Sequence, residues 1–228
     1  YREWEQMVTL QPLALYGFIL IGLLALAAIL YPLFGSLGVI ALIAVAALVS
    51  TFGDRAVMPW RIGGIVFFGA VLIAVLGMRG TDGWGITAGW YLGIVIALND
   101  TGAYFVGRVI GGPKLAPMIS PAKTWSGSVG GWIIGTLAGT LYWIIFTHSP
   151  WALGLLFSAL LGLTGQVGDL TESAIKRVFR VKDSGDIIPG HGGFMDRLDS
   201  VTFGVLLLAI IGALHGGIGH IAQGFLNW

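Results

Sequence analysis

Apolar runs of about 20 residues recur along almost the whole chain, each long enough to cross the roughly 30 Å hydrocarbon core of a bilayer as a helix. In that medium every backbone N–H and C=O must be satisfied within its own segment, so runs of this length point to an all-α, polytopic transmembrane helix bundle. Scanning at that length predicts about seven spans, near 13–31, 33–50, 62–78, 84–104, 127–147, 151–172 and 198–222. Pro32 punctuates the first pair, Pro59 precedes the third, and Pro150 opens the sixth as a proline at a helix start does. With 56% hydrophobic and only 10% charged residues, the 228-residue chain carries more apolar surface than one soluble core needs. A formal charge of +1 argues against nucleic acid as a partner, and the lack of cysteine excludes disulfides and thiolate metal sites in this chain.

Lysine and arginine set the expected orientation, because short cytoplasmic loops retain positive charge. With the start of the chain inside, Arg2, Arg55, Arg61, Arg108, Lys114, Lys123, Lys176, Arg177, Arg180, Lys182 and Arg197 all fall at the inner face, and Arg79 alone lies outside. Trp60, Trp84, Trp125 and Trp151 sit near the expected span ends, as interfacial tryptophans do. Glycines recur at four-residue steps: Gly85, Gly89 and Gly93, then Gly131, Gly135 and Gly139, then Gly212 and Gly216. Such spacing strips one helix face of side chains, which favours close helix packing and permits a homodimer interface.

Against this background, residues 169–199 stand apart, carrying Asp169, Glu172, Asp183, Asp186, Asp196 and Asp199 together with Lys176, Arg177, Arg180, Lys182 and Arg197. Charge counting alone leaves a solvated loop and a site for an anion with a metal both open. Phasing adds that Asp169, Glu172, Ser173, Lys176 and Arg177 share one helix face. The helix is expected to break within 181–193, where Gly185, Pro189, Gly190, Gly192 and Gly193 cluster, and Asp196 and Asp199 then begin the last helix with adjacent side chains. Carboxylates at that spacing suit Mg2+, although acidic residues at a helix start also suit the helix dipole.

Two further stretches carry polar groups. The fourth span ends in Asn99, Asp100, Thr101 and Tyr104, and an ionisable residue at such a place is costly unless it faces protein, water or an ion. Asp100, Tyr104 and Arg108 follow at four-residue steps on one face. Residues 107–127 contain Gly111, Gly112, Pro113, Pro117 and Pro121, which preclude a regular helix, and Lys114, Ser120, Lys123, Thr124 and Ser126, an inventory suited to phosphate oxygens. The Gly-Lys-Ser/Thr ending of a P-loop is absent.

The string Ser173-x-Ile175-Lys176-Arg177, then Lys182-Asp183-x-Gly185, then Ile188-Pro189-x-His191-Gly192-Gly193-Phe194-x-Asp196-Arg197-Leu198-Asp199 resembles the signature of the phosphatidate cytidylyltransferases, or CDP-diacylglycerol synthases. The resemblance extends to Gly168-Asp169-Leu170-x-Glu172, to Asp100-x-x-Ala103-Tyr104-x-x-Gly107, and to Lys114-Leu115 with Ser120-Pro121-x-Lys123-Thr124-Trp125. It covers roughly the C-terminal 60% of the chain, giving an expected division into N-terminal membrane helices, 1–83, and a catalytic membrane region, 84–228. Two departures stand out: Ser126 replaces an acidic residue of many relatives, and Arg2-Glu3-Trp4-Glu5 resembles a run that further helices commonly precede, so an N-terminal portion is expected before Tyr1.

What the resemblance implies is transfer of a cytidylyl group from CTP to phosphatidic acid, giving CDP-diacylglycerol and pyrophosphate, in a bacterial inner membrane with the site facing the cytoplasm. It implies metal binding by Asp169, Asp196 and Asp199, with Mg2+ as cofactor and a second, monovalent cation such as K+ left open. Lys176, Arg177, Lys182, Asp183, His191 and Arg197 are the implied catalytic group. Asp100, Tyr104, Lys114, Ser120, Lys123, Thr124 and Ser173 are the implied substrate contacts. A CTP-dependent lipid kinase and an ion-coupled transporter are the competing readings; the first would release CDP rather than pyrophosphate, and the second would place its charges near the midplane.

Overall fold

The structure is a computed structural model that describes residues 1–228 apart from Gly53, Thr81, Asp82, Pro189 and His191. In chain order the elements are α1 (Arg2–Thr9), α2 (Leu15–Ser50), α3 (Met58–Arg79), α4 (Trp84–Ile110), β1 (Lys114–Ala116), β2 (Ser120–Thr124), α5 (Trp125–Phe146), α6 (Trp151–Val178), α7 (Met195–Gly216), a single 3-10 turn (Ile218–His220) and α8 (Ile221–Leu226). Among the described residues six helices, α2 to α7, are long and apolar enough to cross a membrane, and the chain is a multi-pass membrane protein.

Six long helices and seven expected spans are reconciled by α2. Gly35 inside it has φ 59° and ψ −158°, a backbone state open essentially to glycine alone, and Pro32 has already removed one helical N–H. In a straight helix Tyr16 and Val49 would lie about 50 Å apart, at 1.5 Å per residue. Instead the Tyr16 hydroxyl donates to the Val49 carbonyl. Leu20 and Ala46 share a core with Ile65 of α3, flanked by Leu23, Leu24 and Ile43. The chain therefore doubles back at Gly35, and 15–34 and 36–50 are two antiparallel arms, the pair of spans the sequence reading placed at 13–31 and 33–50.

The chain divides into two compact units: Tyr1–Leu76 with Lys176–Arg197, and Gly77–Ile175 with Leu198–Trp228. The sequence reading cut the chain once, at 83/84; the units instead group Lys176–Arg197 with the N-terminal helices. In the first unit the amphipathic α1 buries Trp4, Met7 and Val8. The Trp4 indole N–H donates to the Trp60 carbonyl at 3.0 Å, and its ring meets Phe68 edge-on.

In the second unit α4 and α5 pack backbone to backbone. A Cβ at Gly131 would meet the Ala103 amide nitrogen at 2.6 Å and the Ala103 Cβ at 2.7 Å, and one at Gly135 would lie 2.8 Å from the Val95 carbonyl oxygen. That is the close approach expected of four-residue glycine spacing. The same spacing at Gly89 and Gly93 meets no described atom within 4 Å. The last helix was expected to run to 222, but α7 ends at Gly216, and Gly217 at φ 84° turns the chain so that α8 returns along it, Gly224 packing on Gly212 and Gly216.

Residues 107–127 are not the wholly irregular loop expected: β1 and β2 form a two-stranded antiparallel hairpin, Lys114 opposite Thr124 and Ala116 opposite Ser120. The turn prolines do preclude a helix, but strands this short carry too few residues for an alternating pattern to register. Trp125 N–H donates to the Pro113 carbonyl at 3.1 Å, and the Thr124 hydroxyl caps α5 by accepting from Gly127 N–H at 3.1 Å, so the hairpin is fastened to the start of α5.

Candidate active site

Several of the charged residues singled out by sequence fall into two clusters, one in each unit. The first is built on the end of α6 and the start of α7. Arg180 takes φ 57°, Val181 N–H bonds back to the Lys176 carbonyl at 3.0 Å and Arg180 N–H to Arg177 at 3.1 Å, the Schellman pattern that stops a helix. The sequence break expected at the glycines thus comes a few residues earlier, at an arginine. Arg177 Nη1 donates to the Val181 carbonyl at 3.0 Å across the same turn. The turn is further covered by Trp60, whose ring meets that of Phe179 at 4.9 Å.

Lys176, on the last turn of α6, is buried and its ammonium donates to Asp196 Oδ1 at 2.6 Å. The same carboxylate accepts Ser184 N–H at 2.9 Å and Gly193 N–H at 2.9 Å on Oδ2. One ammonium and two amides occupy about three of the roughly four lone-pair sites of Asp196, so the carboxylate expected as a metal ligand also clamps the 184–193 loop. Asp183, just before that loop, is exposed, as are Lys182 and Arg197; His191 falls outside the described residues.

The second cluster joins α4, the β-hairpin, α6 and α7. Lys123, at the end of β2, forms an ion pair with Asp169 of α6, both about a quarter exposed. The Ser173 hydroxyl reaches Asp169 Oδ1 at 3.4 Å. Asp100 of α4 interacts electrostatically with Asp169, Asp199 and Lys123. Asp199 Oδ1 accepts Ser200 N–H at 2.6 Å. The buried Ser200 hydroxyl lies beside Asp100 and interacts with it. Three carboxylates, one lysine and a buried hydroxyl thus meet where three helices leave the apolar region.

Below this cluster a polar network crosses the helix interfaces. Gln166 Nε2 donates to Asn99 Oδ1 at 2.8 Å and to the Ser128 carbonyl at 2.8 Å, while the Ser128 hydroxyl donates to Gln166 Oε1 at 2.5 Å. Asn99 Nδ2 donates to the Gly162 carbonyl at 3.0 Å, so every amide group of the pair is used. Gln166 was missed by sequence, though a lone amide inside an apolar run is itself a signal.

Other expected site residues lie apart from both clusters. Tyr104 is exposed and accepts from Arg108 Nη1 at 2.8 Å, the contact its four-residue spacing suggests. Lys114 is exposed on β1 and Ser120 half-buried on β2. Thr124 is committed to the α5 cap.

Among the described residues no three His, Cys, Asp or Glu side chains close into a metal cage. Mg2+ does not require one, since it commonly uses one or two carboxylates and shares the rest of its shell with water and substrate phosphates. Asp169, Asp199 and Asp100 are hard oxygen donors held near one another. The residues of the second cluster fit the ion; Asp196, already bonded to Lys176 and two loop amides, has less acceptor capacity to offer it.

Comparison with known proteins agrees with this architecture. Residues 1–215 match the model of the cytidylyltransferase family. A phosphatidate cytidylyltransferase of Brucella suis biovar 1 is 40% identical over 156 residues, covering 68% of this chain and 57% of the relative. Those of Bacillus subtilis and Staphylococcus haemolyticus are 41% identical over 150 residues and 48% over 123, covering 65% and 53% of this chain and 56% and 47% of theirs. The chain thus spans about half the length of the curated relatives it matches.

Proposed function

The chain belongs to the cytidylyltransferase family, and on that premise we propose that it joins CTP to phosphatidic acid, releasing pyrophosphate and forming CDP-diacylglycerol. The observation that carries the reading is the pair of clusters at the ends of apolar helices: a buried Lys176–Asp196 pair in one unit, and Asp100, Asp169 and Asp199 with Lys123 in the other. Charged groups at the ends of apolar helices suit a reaction between a soluble triphosphate and a membrane phosphate.

In that reaction an oxygen of the lipid phosphate attacks the α-phosphorus of CTP, the bond from that phosphorus to the bridging oxygen breaks, and pyrophosphate leaves with the electron pair. The attacking oxygen is already ionised, so no general base is needed. Like charges must approach, and positioning with charge neutralisation is the main demand on the protein. Lys123 and Ser120 are assigned to the substrate phosphate, and Lys176, Arg177 and Lys182 to the charge growing on pyrophosphate. Asp169 and Asp199, with Asp100 beside them, would hold Mg2+, which when bound supplies positive charge to phosphate oxygens. Asp196 would hold the Lys176 ammonium in place.

The arginine and lysine asymmetry supports a cytoplasmic site in a bacterial inner membrane. The open face at Gly89 and Gly93 supports packing of a second copy of the chain there. The test is protein in vesicles containing phosphatidic acid, supplied with CTP and Mg2+: pyrophosphate and a CDP-lipid are expected in equal amounts. Release of CDP instead, or a nucleotidyl-protein trapped from CTP alone, would contradict the mechanism.

A further inference from the structure

We propose that Glu3 is a positioning residue for the reaction just described: carried on α1, its carboxylate holds residues 193–195 and through them the Lys176–Asp196 pair. This rests on the cytidylyl-transfer reading for its kinetic consequence, though not for its geometry. Glu3 is only 4% exposed, although isolated buried carboxylates are strongly disfavoured. It accepts Phe194 N–H and Met195 N–H, each at 2.7 Å, and the Ser184 hydroxyl reaches it at 3.5 Å.

These partners adjoin those of Asp196. Three successive amides, of Gly193, Phe194 and Met195, lie at the start of α7, where N–H groups have no intrahelical acceptor. The first goes to Asp196 and the next two to Glu3. Ser184 is divided likewise, its amide on Asp196 and its hydroxyl on Glu3. Two carboxylates therefore pin one turn, with charge-assisted bonds that the positive end of α7 strengthens. Asp196 cannot swing without breaking the Glu3 set, and Lys176 is bonded to Asp196.

The glycines of the loop add an independent observation. A Cβ on Gly193 would lie 2.9 Å from Glu3 Oε1, and one on Gly185 would lie 3.0 Å from Glu3 Cγ. Both positions lack a side chain where Glu3 enters. The helix that carries the carboxylate is anchored two residues further on, where Glu5 pairs with the Arg61 guanidinium at 2.7 Å.

Three variants separate positioning from simple support: Glu3→Gln, which keeps the shape and one acceptor but loses the charge; Glu3→Asp, which keeps the charge one methylene short; and Trp4→Phe, which loosens α1 and leaves Glu3 intact. Each is purified, placed in phosphatidic acid vesicles, and compared for kcat, KM for CTP, Tm and backbone amide exchange over residues 193–196. Glu3→Gln is expected to lose kcat about tenfold with KM for CTP within about threefold, and to speed exchange at 194 and 195. Glu3→Asp is expected to lose kcat at least about threefold and decides on the same criteria if the glutamine variant does not fold. Trp4→Phe is expected to lower Tm with kcat within about twofold of the parent. Unchanged kcat and exchange in the Glu3 variants would overturn the inference. So would a loss of kcat in Trp4→Phe matching that of Glu3→Gln at equal loss of Tm. If the parent protein makes no CDP-lipid the functional reading falls, and amide exchange alone then decides whether Glu3 holds the turn.

Discussion

The buried pair of Glu5 and Arg61 gives the most quantitative test of how the N-terminal unit is held. Arg61 Nε and Nη2 both donate to Glu5 Oε1, at 2.8 Å and 2.7 Å, and both residues are less than 10% exposed. The other Glu5 oxygen faces the Tyr1 hydroxyl at 3.4 Å, and burial, reinforced by Glu5, pushes that phenol's pKa up. The guanidinium also stands 4.8 Å from the centre of the Tyr16 ring. Removing one partner of such a pair leaves a charge without compensation in a low-dielectric setting, a cost of about 3–5 kcal/mol. In Glu5→Gln the amide oxygen still accepts one N–H and the Tyr16 ring still faces the cation, worth about 1 kcal/mol between them. The expected loss is therefore about 2–4 kcal/mol for Glu5→Gln, and similar for Arg61→Met, which strands the carboxylate. The double variant leaves no buried charge at this point and should recover at least about 2 kcal/mol of the summed losses. Denaturation of the four proteins in one detergent, read by tryptophan fluorescence, measures the coupling. Single variants within about 0.5 kcal/mol of the parent, or strictly additive losses, would refute the reasoning.

Three further outcomes are expected. Gln166→Leu strands Asn99 Oδ1 and the Ser128 hydroxyl between helices, and should cost about 1–2 kcal/mol in the same denaturation assay, towards the upper range for polar contacts in membranes. Gly131→Leu drives a side chain into the Ala103 backbone and should abolish the monodisperse folded species on size-exclusion chromatography, whereas Gly89→Ala, with no described atom within 4 Å, should leave the folding of a single chain intact. Thr124→Val removes the α5 cap and should lower stability by about 1 kcal/mol by the same measurement.

How far the sequence could be read depended on whether a feature was local. Span positions follow from hydropathy, and the reversal at Gly35 was foreshadowed by Pro32 separating two lipid-length runs. The start of α7 near Asp196 was likewise legible, because carboxylates three apart after a glycine-rich turn read as a first helical turn. The phased glycines at Gly131 and Gly135 foretold the close α4–α5 contact, while the same spacing at Gly89 and Gly93 has no counterpart within the chain. The β1–β2 hairpin was not legible, since a three-residue strand and a five-residue strand containing Pro121 carry no usable period.

For the candidate site, residue types were legible and partners were not. Spacing indicates that Asp196 and Asp199 are neighbours, but not that one would be bonded to loop amides and Lys176 while the other sits with Asp100 and Asp169. Glu3 illustrates the limit best. It belongs to a short charged run that drew notice only by resemblance, and its amide partners lie 191 and 192 residues further along the chain.

The central claim is that a phosphate-transfer site with metal-binding carboxylates has been built on the second cluster, and it is tested most directly by pyrophosphate release from CTP and phosphatidic acid as Mg2+ is titrated. The parent protein should show saturable, Mg2+-dependent release that a chelator abolishes. Asp199→Asn should remain folded, as judged by an unchanged size-exclusion profile, and lose at least about a hundredfold of that activity at saturating CTP. Release by Asp199→Asn at the parent's rate and Mg2+ dependence would contradict the account.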